Sequence, residues 1–191
     1  MSKVRERILD VATRLFYEKG IQAVGVDAII GEADVARMSF YRQFKSKEGL
    51  VLACLARRDE TLLAWFDAKV RRLAPLPADR PLAVFEALAL RFAADRYRGC
   101  GFINTMVEMP DPEDPAHRAA ASHKSRFQDY LARLLREGGL DEALAPDLLL
   151  LFDGAVIAAV RESGQAPAFR AQRMAALLLG KPSPKPQRKP A

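Results

Sequence analysis

Apolar residues recur along this chain at three- and four-residue steps, the period of helices, and no stretch alternates as a half-buried strand would. Over 3–18, Val4, Ile8, Val11, Ala12, Leu15 and Phe16 make one stripe, and Gly20 stands where such a helix should end. Val26, Ile29, Ile30 and Ala33 give a second helix over 26–33, followed by a turn near 34–36 and a short helix over about 37–43. Ser46 reads as the N-cap of a fourth helix, with Glu48 in its first turn, running to about Leu73. Pro75, Pro77 and Pro81 mark a break. A fifth helix is expected over 80–97, with Leu82, Phe85, Leu88, Ala89 and Phe92 inward. Gly99-Cys100-Gly101 is a second break, and a short helix near 102–109 ends before Pro110. The stretch PDPEDP is a loop, because three prolines in six residues cannot continue a helix. Helices then follow at 115–137 and 145–163, parted by Gly138-Gly139, with a last one near 167–179.

The expected fold class is therefore all-α. A three-helix, N-terminal helix-turn-helix headpiece (1–46) leads into a larger helical body (47–179). The end of the chain, 180–191, is proline-rich and basic and is expected to be disordered. That tail suits either solubility or an auxiliary contact with DNA phosphate.

The stretch 26–47 carries the most information. Two short helices across a tight turn form a helix-turn-helix, which sets its second helix in the major groove of DNA. Residues 37–47 hold Arg37, Arg42, Lys45 and Lys47 and no acid, as a duplex reader requires.

The segment EADVARMSFYRQFKSKEGL closely resembles the signature of the tetracycline-repressor (TetR) family of bacterial transcription regulators. The matching positions are Ala33-Asp34-Val35 in the turn, the aromatic pair Phe40-Tyr41, Phe44, and Ser46-Lys47-Glu48 opening the next helix. The resemblance is specific over 4–52 and weaker beyond. Asp34 stands where the family often has Gly, and Asp tolerates a left-handed backbone better than most residues. Gly25 stands where the family often has Thr, which removes one phosphate-facing hydroxyl. Gln43 replaces a common His and can still donate to phosphate, without a titratable charge.

Charge sharpens this picture. The net charge of +6 is uneven: 1–50 hold 9 basic and 7 acidic residues, 51–179 hold 17 of each, and 180–191 hold 4 basic and none acidic. A balanced middle argues against a uniformly basic nucleic-acid coat protein. The longest apolar run, 148–160, is interrupted by Asp153 and is shorter than the roughly 18–20 residues that span a bilayer. The charged amphipathic start does not read as a signal peptide, and two cysteines, Cys54 and Cys100, make no disulfide framework. A cytoplasmic protein with no membrane partner is the expectation.

Base contacts are expected from the start of the recognition helix: Ala36, Arg37, Met38 and Ser39, with Phe40 and Arg42 behind them, while Phe40 and Phe44, with Ile29 and Ile30, are also expected to fill the small core of the headpiece. Arg37 suits either paired hydrogen bonds to guanine or a phosphate contact. Met38 suits a thymine methyl. Tyr41, Gln43, Lys45 and Lys47 are expected at phosphate, Tyr41 with its ring on the headpiece core, as the resemblance supports.

The stretch LLLLFDGAVIAAV (148–160) is apolar almost all round and must bury more than one face. A second copy of the chain, or the centre of a monomer, would satisfy it. The resemblance implies the dimer, with Leu151, Gly154, Ala155, Ala158 and Ala159 meeting Phe169, Met174, Leu177 and Leu178 in a four-helix interface. Such a homodimer would address two half-sites of a near-palindromic operator in double-stranded DNA.

The resemblance also implies a small-molecule effector in the body, whose binding releases DNA, and repression rather than activation. Candidate cavity residues are Trp65, Phe66, Phe85, Phe92, Phe102 and Met106, with Met109, Phe127 and Tyr130. Asn104, Thr105 and Glu108, in a segment that resembles the cavity region of some relatives, are polar candidates to orient a ligand or to cap helices.

Rival readings are an enzyme, a helical protein with a pocket but no DNA, a pure interaction module, and a thiol-based redox sensor using Cys100. His117 and His123 lie six apart, off any shared helix face, and are expected at the surface. No catalytic motif, metal cluster or phosphate loop stands out, so no enzyme activity, cofactor or metal is expected.

Overall fold

The computed structural model describes residues 2–94 and 97–182. Among them the chain forms nine α-helices and no strand: α1 Lys3–Lys19, α2 Val26–Ala33, α3 Arg37–Phe44, α4 Lys47–Leu73, α5 Arg80–Phe92, α6 Gly101–Glu108, α7 Pro115–Glu137, α8 Ala145–Glu162 and α9 Ala166–Leu178. Short 3-10 turns precede α5 and α8, at Pro77–Asp79 and Glu142–Leu144.

The chain divides into two compact units. The first comprises Met1–Leu62 and Cys100–Lys124, the second Leu63–Gly99 and Ser125–Ala191. Both α4 and α7 therefore contribute residues to each unit.

In the first unit α1 buries Ile8, Leu9, Ala12, Leu15 and Phe16, and Gly20 ends it at φ +92°. Asp34 takes the left-handed conformation after α2 (φ 48°, ψ 60°). Its N–H reaches the Gly31 carbonyl and the Val35 N–H reaches that of Ile30, so the last carbonyls of α2 are satisfied in the Schellman manner. Arg7 adds a hydrogen bond to the Asp34 carbonyl at 2.6 Å. Ile8, Ile29, Phe40, Leu50 and Phe102 are fully buried in one core that also takes in Ala116 and Ala120. A three-helix headpiece of this size buries little alone, and here α4, α6 and the start of α7 complete its core.

In the second unit the rings of Phe66, Phe127 and Phe152 pack with centroids 4.6–5.6 Å apart. Here α8 and α5 both pack on α9. The buried Gln172 of α9 donates to the Leu82 carbonyl at 3.1 Å and to Glu86 at 2.8 Å, which satisfies its amide.

Three expectations are corrected. The fifth helix stops at Phe92, not at 97. The Ala94 N–H turns back to the Arg91 carbonyl at 3.2 Å, which closes the helix, and the Tyr97 ring folds back onto Phe92 at 5.0 Å. Asp95 and Arg96, inside the expected helix, lie outside the described residues. Neither histidine is at the surface: His117 is half-buried, and His123 is 2% exposed. His123 stands in phase with Ala116, Ala120 and Phe127 on α7, which carries it into the core. Finally, residues 142–162 are long and apolar enough to cross a bilayer by length and composition alone, because Asp153 interrupts the run without making the helix polar. The expected disorder of the tail falls mainly on 183–191, outside the described residues.

Candidate nucleic-acid interface

The short helix α3 owes its two faces to its sequence. Phe40 and Phe44 lie four apart and are buried, their ring centroids 6.0 Å apart. Arg37, Met38, Tyr41 and Arg42 fall on the other side and are exposed. Met38 is 78% exposed, although it is a large apolar side chain. Ala36 precedes the helix and is exposed, while Ser39 and Gln43 are half-buried at its flanks. The Tyr41 ring meets Phe40 edge-on at 5.2 Å, leaving the ring on the core and the residue 40% exposed. Phe40 itself is wholly buried, so it fills the headpiece core as expected, and the expectation that its side chain reaches DNA does not hold. Its ring is the wedge that holds α3 outward.

The α3–α4 junction is tight. Lys45 ends α3 at φ 60° and is exposed. The Gly49 N–H donates to the Ser46 hydroxyl at 3.0 Å, which makes Ser46 the N-cap of α4. Gly49 is required for close approach, since a Cβ there would lie 2.4 Å from the Phe44 carbonyl oxygen. Lys47 occupies the first turn of α4, half-buried. Gly25 before α2 supplies no side-chain cap, in keeping with the missing hydroxyl.

A buried aromatic wedge, a left-handed turn and an outward helix framed by cations define a helix-turn-helix of the DNA-binding kind. Known proteins place it further. Residues 8–54 match the family model for bacterial regulatory proteins of the tetR family. A TetR-family transcriptional regulator from Streptomyces coelicolor, solved by crystallography, is 33% identical with a TM-score of 0.84, covering 94% of this chain and 89% of that one. The HTH-type transcriptional regulator YjdC of Escherichia coli (strain K12) is 25% identical over 173 residues, 90% of this chain and 91% of YjdC. The HTH-type transcriptional repressor DhaR of Mycobacterium sp. (strain GP1) is 27% identical over 157 residues, 78% of this chain and 76% of DhaR. The chain belongs to the TetR family of transcriptional regulators and is a DNA-binding protein of the helix-turn-helix type.

Among the described residues the expected sensor residues are spread over both units. Phe66, Phe85 and Phe127 are fully buried and pack as core, as does Phe92. Trp65 is half-buried, with Arg91 and Lys69 over its ring at 5.4 and 5.8 Å. Tyr130 is buried, burial pushes its phenol well above the usual range, and its hydroxyl meets no hydrogen-bond partner among the described residues. In the first unit Phe102 stacks on His123 at 3.6 Å, and the His123 ring meets Asp59 at 2.5 Å. Thr105 is buried and donates to the Gly101 carbonyl at 2.8 Å. Met106 is half-buried against the core, and Met109 lines a shallow surface cleft.

A different cleft opens between α1, α4 and α6, and it includes Asn104, Thr105 and Glu108 from the expected set. It also takes Cys54 and Arg58, which sequence reasoning passed over. Burial raises the Cys54 thiol above its ordinary value, against the lowering pull of Thr13 and Arg57. Arg58 had a signal: it stands in phase with Val51, Cys54 and Leu55, where an apolar residue is expected. Cys100 is half-buried just before α6.

The expected dimer residues fall into three groups. Ala155 and Ala159 are buried within the chain itself. Gly154, Met174, Leu177 and Leu178 are exposed, with Leu151, Ala158 and Phe169 half-buried. The exposed apolar stripe of α8 is instead Leu150, Ile157 and Val160.

Proposed function

We propose that the protein is a ligand-responsive repressor that binds a near-palindromic operator as a homodimer. The exposure of Met38 beside Arg37 carries this reading. Water disfavours an apolar side chain of that size at 78% exposure, and a thymine methyl in the major groove gives it a partner. Ala36, Arg37, Met38 and Ser39 read bases, with Arg42 beside them, while Tyr41, Gln43, Lys45 and Lys47 hold phosphate.

Two copies meet through α8 and α9. Leu150 and Leu177 are each 73% exposed, Ile157 53% and Met174 54%. A set of large apolar residues on two packed helices is more than a free surface usually leaves uncovered. The interspersed Arg161, Arg170 and Glu162 suit a protein partner better than lipid hydrocarbon. Such a dimer places two headpieces on two half-sites. Repression is supported by the relative DhaR, which is named a repressor. The cytoplasm is the compartment this function needs.

Selection of bound sequences from random DNA tests the reading. A bipartite inverted repeat is expected, bound by a species of twice the chain mass. A monomer, or no sequence enrichment, would refute it.

A further inference from the structure

The cleft between α1, α4 and α6 has an interior of about 40 Å³, and about 430 Å³ with its open mouth included. The interior holds a group of a few heavy atoms, and the mouth admits more. Phe16, Ile21, Val51 and Leu55 make its walls apolar.

One cation, Arg58, and one acid, Glu108, line it. The Arg58 guanidinium rests on the Tyr17 ring at 4.6 Å, and among the described residues no oxygen accepts a hydrogen bond from it. Its neighbour Arg57 differs: it donates to Asp10 at 2.7 Å and to Thr13 at 3.0 Å. Glu108, the acid of the cleft, is engaged, accepting the Gln22 N–H at 2.9 Å. Arg58 is half-buried and its guanidinium nitrogens remain open to solvent, so the fork is free to take an anion in place of water. Gly101 keeps the space open, since a Cβ there would stand 3.0 Å from Arg58 Nε.

We propose that this cleft binds a small monocarboxylate, paired with Arg58, and that its arrival loosens Glu108 from the turn between α1 and α2. The site rests on the ligand-responsive reading above and locates the effector in the first unit. A carboxylate matches the planar guanidinium fork. A dianion such as phosphate would meet Glu108 across the same small space at twice the charge.

The coupling follows from where Glu108 stands. Its oxygens lie 3.0 and 3.2 Å from the position of a Cβ on Gly20, at the end of α1. The Gln22 side-chain amide reaches the Met109 sulfur at 3.2 Å, so the end of α6 clasps the turn twice. That turn sets α2, and α2 sets α3. A second carboxylate in the cleft repels Glu108 and favours the state in which the turn is released, so carboxylate and DNA oppose each other.

The test uses the full chain and its selected operator. Acetate, butyrate and benzoate are compared with acetamide, butyramide and benzamide, at ionic strength matched with sodium chloride. Calorimetric binding and gel-shift affinity are both read. At least one carboxylate is expected to bind and to weaken operator binding about tenfold or more, within the usual range of allosteric coupling, while its amide does neither. Arg58→Gln should abolish carboxylate binding, and Arg58→Lys should weaken it, both with DNA binding unchanged in the absence of ligand. Glu108→Gln should keep carboxylate binding and lose the effect on DNA. Acids and amides acting alike, no carboxylate binding at all, or full binding by Arg58→Gln with a native circular dichroism spectrum would overturn the site. A chain that binds carboxylate through Arg58 but no DNA would instead sink the regulator reading and leave the site standing.

Discussion

The Arg37 guanidinium, in the first turn of α3, pairs with the Asp27 carboxylate in the first turn of α2 at 2.5 Å. Both side chains are exposed, so the pair adds only about 0–1 kcal/mol to stability. Its effect lies in where it holds the arginine before DNA arrives. Arg37→Ala is expected to relax base preference at one operator position, costing about 1–3 kcal/mol of discrimination there. Asp27→Ala should leave the preferred base unchanged and tighten binding slightly, because the arginine no longer has to leave an acid. Gel shifts on a panel of single-base operator variants measure both effects. A uniform loss over all variants for Arg37→Ala would move that residue to the phosphate-contacting group.

Phosphate-contacting residues have a different signature. Lys47→Ala and Tyr41→Phe should weaken all operators alike. Lys47→Ala should also lower the slope of log affinity against log salt by about 1, since one fewer counterion is released. A change of sequence preference without loss of affinity would count against Lys47.

Single charges on the apolar face of α8 and α9 should separate the dimer. Leu150→Glu or Leu177→Glu places a carboxylate at the centre of the proposed interface, where no partner is prepared for it. Light scattering after size exclusion is expected to report a monomer with native helix content. Ala155→Glu offers a contrast: Ala155 is 5% exposed within its own chain, so a charge there should unfold the second unit instead.

Tyr130 is buried and its hydroxyl meets no partner among the described residues. Removing an unpaired buried polar group costs nothing and recovers its desolvation. Tyr130→Phe should therefore be neutral or stabilising, by up to about 1–3 kcal/mol. Phe66→Ala in the same unit should cost about 3–5 kcal/mol. Denaturant melts compare the two, and a strongly destabilised Tyr130→Phe would mean that the hydroxyl has a partner.

Alkaline stability should report on Cys54. Burial raises its thiol above the ordinary 9.0, so the unfolded chain loses this proton first as pH rises. The unfolded state then binds fewer protons, and stability falls with increasing pH. The contribution is complete below about pH 9.0 and is lost as pH climbs through the raised value. Cys54→Ala should flatten that decline. At neutral pH the native thiol should resist iodoacetamide until the chain unfolds.

Most helices were legible because their causes are local. The breaks at Gly20, Pro75 and Pro110, the Ser46 cap and the stripe of α1 act within a turn or two of chain, and the structure keeps each of them. Asp34 was legible for the same reason, since its left-handed backbone depends on its own residue type. The end of α5 at Phe92 was not legible, because no local stop signal marks it.

The sequence by itself determined an all-helical chain, its helix-turn-helix and the outward cations around it, since periodicity and residue type are properties of neighbours in the chain. Only the tertiary structure decided that His123 lies beneath Phe102 against Asp59, and that Arg58 and Glu108 share a cleft with Asn104. Those residues lie tens of positions apart, and burial and charge pairing depend on which helix faces are brought together, a property that no local pattern records.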